Sequence, residues 1–549
     1  MTDLRKSSLD RRHLLGGAAA VAAGLTLRPD GQSLAAPAAR GAKLAAGFQD
    51  DENVILIGTL GEASTINPFL VNDTEAYWRC KLMYEQFLRI DPATFAPTPG
   101  PGLVADYSLE ELTYTFTIHD NATFSDGSDV TADDVLFTFL GLMNPTTASP
   151  NATHFTSIVG GAEYIAGTAT EVPGIEVVDA KTLKITLASP DASFLYNLRT
   201  VHVVPKAALD GKSLTDDPFF DNPIGAGPFR FVSWSIGGDW VAERNEHYYQ
   251  EGKPYLDGVI HRVIADANTL ALALQTGEID GSVYPAPTLR DMISQNPDMT
   301  FVVPPFTSAD GWTFNFDNEW LAKKEVRQAI CHAINVEQYA ADSLMGMGGV
   351  AAGPIAPGNW AFDPDLQPLA YDQDKARELL AAAGFPEGTE IRATVNIGNV
   401  LREDWLVFCQ QALEEVGIAI KAEPQEYATL VEAVTTTGDY EMSGVNFGGV
   451  TADPGELANQ FGTGAAGNFT GYSNPELDEL MSAARQELDT EAAKEIYKQI
   501  QAILTDDAPI HFAWYRPFLN VINSKFTGYT PSNLEQFLFH SLEDIKLAE

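Results

Sequence analysis

Cysteine is scarce in this chain, with three in 549 residues, Cys80, Cys331 and Cys409. That number and spacing exclude a disulfide framework and a cysteine-based metal site. Cys331 and Cys409 fall in stretches of helical periodicity and are expected as small core residues. Basic residues are also few, 34 Lys and Arg against 75 Asp and Glu, for a net charge of -41. A chain so acidic lacks the basic face that neutralises phosphates, which excludes nucleic acid as a partner and disfavours anionic membranes. The charge is read as a solvated acidic surface. Long apolar runs are missing too: the longest, 14–27, is short of the roughly 20 strongly apolar residues that a membrane span needs. Catalytic signatures are absent. There is no His-Glu-x-x-His pair, no Gly-x-Ser-x-Gly elbow and no Walker loop. Gly346-Met347-Gly348-Gly349 resembles a dinucleotide loop but follows a helix instead of a strand, which is the wrong context. The nine histidines show no metal-ligand spacing, so neither metal nor cofactor is expected.

What is present begins with a leader. Arg11 and Arg12 precede the apolar run, and small residues accumulate around Ala35 and Ala38. Charged region, apolar core and small-residue site stand in the order of a secretory signal, and the paired arginines predict the twin-arginine (Tat) route. Residues 1–38 are expected to be removed, and 39–50, rich in Ala and Gly, to form a flexible tail. With no Cys near the cleavage region, no lipid anchor is expected. The remaining roughly 500 residues suffice for two or three domains, and 45% hydrophobic content marks them as globular.

Residues 53–58 form a short apolar run, a buried strand. Strict alternation predicts half-buried strands at 112–119, 182–187 and 229–234. Thr131 followed by Ala132-Asp133-Asp134 predicts a capped helix start. The C-terminal half has helical periodicity at 323–344, 374–383, 403–416, 474–488 and 490–506, with a strand at 391–397 between. Gly384 is placed as a helix stop. Strand-rich sequence followed by helix–strand alternation predicts an α+β part and an α/β part, and no floppy linker separates them.

Several segments together resemble the extracellular solute-binding family that serves dipeptide, oligopeptide and nickel ABC importers. They are Phe124-Ser125-Asp126-Gly127 with Val130-Thr131-Ala132-Asp133-Asp134-Val135, Asn222-Pro223-Ile224-Gly225-Ala226-Gly227-Pro228, Thr276-Gly277-Glu278-Ile279-Asp280, Val326-Arg327-Gln328-Ala329-Ile330, and Asp453-Pro454. They run in family order over nearly all of the chain after the leader. Most read physically as structure: Asp126 and Gly127 make a turn, residues 222–228 a rigid corner, and Arg327 pairs with a nearby carboxylate. The resemblance implies an α/β, two-lobed periplasmic-binding-protein fold (type II, cluster C-like) with an extra subdomain inserted in lobe one. The implied limits are 51–308 for lobe one, with the insertion at about 96–215, then 309–515 for lobe two and 516–549 returning to lobe one. It implies a monomeric periplasmic receptor that closes on a small solute and delivers it to an ABC permease and ATPase, without chemistry. An exported hydrolase is the alternative.

The family's peptide binders hold the ligand ammonium with an Asp shortly before the Asp-Pro motif, where this chain has Val450. They also carry an Arg for the carboxylate, at a register that falls near Asn396, with Arg402 the nearest cation. A dipeptide without that clamp would bury unpaired charge. The implied solute is therefore a longer peptide held by its backbone, an oligosaccharide or an opine-like compound. Candidate lining residues are Glu62, Ser64, Trp312, Asn315, Asn446, Phe447, Asp453 and Trp514, the aromatics to stack on sugars or apolar side chains.

Overall fold

The computed structural model describes residues 53–549 apart from Tyr284, 304–308, 445–449, Thr451, 533–540 and Glu549. The leader, the tail and the candidates Asn446 and Phe447 thus lie outside the described residues.

The first strand, Val54–Thr59, is buried along its whole length. A strand covered on both faces suits parallel pairing, and it pairs in parallel with Gly258–Val263 and Gly281–Val283. These strands centre a seven-stranded sheet. The hairpin Phe229–Trp234 and Asp239–Arg244 extends it on one side, and Asn520–Asn523 and Met299–Val302 on the other. The 112–119 alternation folds as Thr113–Ile118, with Tyr114, Phe116 and Ile118 inward. It lies within a separate four-stranded antiparallel sheet with Val104–Glu110, Thr182–Thr186 and Ile175–Asp179. Helix Ala132–Met143 starts at Thr131, whose backbone N–H donates to Asp134 at 2.8 Å. Its Phe139 meets Phe87, which meets Phe116 of the four-stranded sheet, so both sheets share one apolar core. The 222–228 corner is glycine-dependent, because a Cβ on Gly225 would lie 2.1 Å from the Met83 carbonyl.

A six-stranded sheet organises the other half, in the order Gly349–Val350, Ile510–Tyr515, Ala309–Phe314, Met442–Ser443, Thr389–Thr394, Ile418–Ala422. Helices Gln373–Ala383, Val400–Glu414, Pro475–Gln486 and Thr490–Asp507 occupy the periodic stretches. Gly384 ends the first of them with φ +68°. The single helix expected over 323–344 is instead two, Lys324–Ala333 and Val336–Asp342. Asn335 restarts it, its side chain accepting from the Gln338 N–H at 3.1 Å. Arg327 is a second correction. Among the described residues its hydrogen bonds go to carbonyls, those of Leu321, Ala322, Asp507 and Ala508, and it lies over the Phe316 ring, while the Asp507 carboxylate acts on it through charge without a hydrogen bond.

We call the parts built on the seven- and six-stranded sheets the first and second lobes. The chain leaves the first sheet after Val302, joins the second at Ala309, and returns between Tyr515 and Asn520. Outbound and return strands are neighbours on both sides of the crossing, Met299–Val302 with Asn520–Asn523 and Ala309–Phe314 with Ile510–Tyr515.

The C-terminal segment is fastened to the first lobe by a buried ion network. Arg89 donates to both oxygens of Glu85, at 2.8 and 2.9 Å, and also to Glu543, while the Tyr248 hydroxyl donates to Glu85 at 3.0 Å. Removing one partner of a buried pair strands the others in low dielectric. Arg89→Ala should therefore lower the unfolding free energy by about 3–5 kcal/mol, read as a fall in the urea midpoint.

Candidate functional site

The candidates taken from sequence fall in three places. Trp312 and Trp514 sit on adjacent central strands whose six residues are each buried. Trp312 is 0% and Trp514 1% exposed. The Trp312 ring stacks on Trp405 and its N–H donates to Cys409 Sγ at 3.3 Å, while Trp514 packs on Tyr339. Both rings therefore lie inside the second lobe's core. Asn315 is also structural in its bonding: its amide donates to the carbonyls of Gly438 and Tyr440 and its oxygen accepts from Asp317 N–H.

Glu62 and Ser64 occupy the loop after Val54–Thr59, at the carboxyl end of the first sheet. Glu62 accepts from the Trp234 indole at 3.1 Å and the Gly237 N–H at 2.8 Å, which ties this loop to the 229–244 hairpin. Ser64 donates to Asp73, the residue that also caps helix Thr74–Met83. Beneath the loop lies Glu75, paired with the fully buried Arg79 at 3.1 Å.

Asp453 stands where the lobes touch. It accepts from the Gly455 N–H at 2.8 Å and bonds Ser193 of the first lobe, and burial raises its pKa. Around it, Asp191 accepts from Arg485 at 3.1 and 3.2 Å, Arg199 meets Glu456 at 3.6 Å, and the Ala192 N–H donates to the Arg485 carbonyl. Residues 191–199 thus clasp the Asp453-Pro454 loop and the helix Pro475–Gln486.

A cluster that sequence reasoning did not assemble lies at the crossing between lobes. Asp310, on the outbound strand, accepts from Arg516, just past the return strand, through Nε at 2.7 Å and also through Nη2. Arg402 reaches the other Asp310 oxygen at 4.0 Å and donates to the Asn396 side chain at 2.9 Å. Arg402 opens the helix Val400–Glu414 yet is only 8% exposed. Burial lowers its pKa to about 10, with Arg516 adding to the fall and Asp310 opposing it, so it remains a cation at neutral pH. Its Nε is buried with no hydrogen-bond partner among the described residues. Among the described residues two guanidiniums face one carboxylate here, leaving about one uncompensated positive charge, which attracts an anionic group. The one signal in the sequence was Arg402 itself, six positions after Asn396. Asp310 and Arg516 are brought together by the fold alone.

A family model described as bacterial extracellular solute-binding proteins, family 5 middle, matches residues 98–469. The oligopeptide-binding protein AppA of Bacillus subtilis is 27% identical over 92% of each chain. Its structure with a nonapeptide superposes with a TM-score of 0.75 at 25% identity, over 90% of this chain and 99% of that one. The glutathione-binding protein GsiB of Pectobacterium atrosepticum is 29% identical over 81% of this chain and 84% of its own. The ABC transporter substrate-binding protein CtaP of Listeria monocytogenes has a TM-score of 0.79 at 26% identity, over 90% and 99% of the two chains.

Burial raises the Glu75 pKa from 4.5 to about 7, with Arg79 pulling the other way. The folded state therefore holds this proton more tightly than the unfolded chain. The stability it lends at low pH is lost as pH rises from 4.5 towards 7. Glu75→Gln should flatten that part of the curve of unfolding free energy against pH, by up to about 3 kcal/mol, measured by calorimetry across the window.

Proposed function

Because this chain belongs to family 5 of the bacterial extracellular solute-binding proteins, we propose that it binds a carboxylate-bearing solute, a peptide first of all, between its two lobes for an ABC importer. It is the substrate-binding component, and the permease and ATPase of that importer are its partners. The solute is released unaltered. The observation that carries the reading is the Asp310–Arg402–Arg516 cluster. A buried surplus cation at the crossing, in a chain of net charge -41, is matched by a terminal carboxylate. A peptide or an opine-like compound supplies one, whereas a neutral oligosaccharide does not. The names of the relatives, oligopeptide- and glutathione-binding proteins, support the same class. Residues 51–308 and 516–549 move as one lobe, with about 96–215 as its inserted subdomain, and 309–515 as the other. Closure is a hinge motion about the paired crossing strands.

Arg402→Met keeps the apolar stem and removes the charge, while Asp310 retains Arg516. Titration calorimetry with a peptide should then show affinity lower by about tenfold to a hundredfold, with the melting temperature of the free protein nearly unchanged. A C-terminally amidated peptide should bind the native protein as weakly as the free-acid peptide binds the variant. Equal affinity of acid and amide for the native protein would refute the carboxylate reading. Chromatography of the recovered peptide should show it intact.

We further propose that the protein acts as a monomer in the periplasm, exported by the Tat route with its leader cleaved. Replacing Arg11 and Arg12 by Lys should leave the full-length precursor in the cytoplasm. Continued export would show that the general secretory channel suffices.

A further inference from the structure

The second lobe contains a cavity of about 450 Å³ that is separate from the crossing and from the clasp. It lies between the end of helix Lys324–Ala333, the 367–371 segment and strand Ile510–Tyr515. Its size falls within the range of small-molecule sites, roughly 300–1,000 Å³. Ile334, Val336, Leu369 and Phe512 give it apolar walls. His511 and Cys331 supply polar atoms deep within, the residues being 6% and 2% exposed. Burial holds the imidazole down at about 3 and pushes the Cys331 thiol up to about 12, so both are neutral near pH 7. His332, whose Nδ1 contacts the Ala370 carbonyl at 2.6 Å, sits behind the 367–371 wall. Among the described residues that line the cavity there is no Lys or Arg, and Glu337 at the exposed rim carries the one carboxylate.

We propose that this cavity is a second binding site, for a small monocationic amine with an apolar body. The body fills the apolar walls, and the ammonium faces Glu337 and solvent. The lining has no cationic side chain to hold an anion, which sets this site apart from the guanidinium cluster. All its lining residues belong to one lobe, so occupancy needs no lobe closure.

Phenethylamine and its uncharged analogue 2-phenylethanol are suitable probes, titrated by calorimetry into the intact mature protein. Phenethylamine should bind more tightly than the alcohol. Glu337→Gln, at an exposed position, should weaken the amine by about fivefold or less and leave the alcohol unchanged. Ala352→Phe, from the half-buried wall, should abolish binding of both probes. Neither variant should alter peptide affinity, so failure of this site is distinguishable from failure of the peptide reading. The proposal is overturned by absence of amine binding, by binding that survives Ala352→Phe, or by displacement of the amine when peptide saturates the protein.

Discussion

The Asp310–Arg516 ion pair is the constraint on which the two-lobed arrangement turns. The lobes communicate through two passages of chain, and this pair joins the outbound passage to the return passage on the second-lobe side. The strands themselves pair there with an irregular register between Asp310 and Gly311. A Cβ on Gly311 would lie 1.8 Å from the His511 carbonyl, so the close approach demands glycine. The extra residue of the irregularity is Ala513 on the return strand, and just past that strand Arg516 meets one Asp310 oxygen while Arg402 approaches the other. One carboxylate thus fixes the geometry of the crossing and leaves the cluster short of one negative charge. The proposed recognition thus draws on the same three side chains that shape the crossing.

Local physics was readable from the sequence, and long-range partnership was not. Thr113–Ile118 and Phe229–Trp234 followed from alternation, and Thr131 and Gly384 marked helix ends, because each depends on neighbours within a few positions. The break at Asn335 was hidden because the apolar period continues through it, although Asn there is a good cap. Trp312 and Trp514 looked like pocket aromatics. Their strands lie in the middle of a sheet with both faces covered, so every side chain on them is enclosed. Glu62 was singled out correctly as a loop residue, but its partners Trp234 and Gly237 lie 172 and 175 positions away. Arg516 and Asp310 are 206 positions apart, a pairing that no periodicity encodes.

The acidity of the chain gains meaning at the lobe contact. Asp191 and Asp453 are 1% and 8% exposed, and each carboxylate costs desolvation energy there. Arg485 answers Asp191 from a side chain that is 49% exposed, and Arg199–Glu456 is also partly wet. Ion pairs with a partly exposed partner contribute modestly to net stability, so under the proposed reading the clasp orients the lobes without holding them shut. A ligand that buries apolar surface and supplies the missing anion at Arg402 interacts with both lobes only when they are together, and such differential binding shifts the population towards closure. The weak clasp is then a requirement of the proposed task, since a receptor held shut by its own contacts would not release its cargo to a permease.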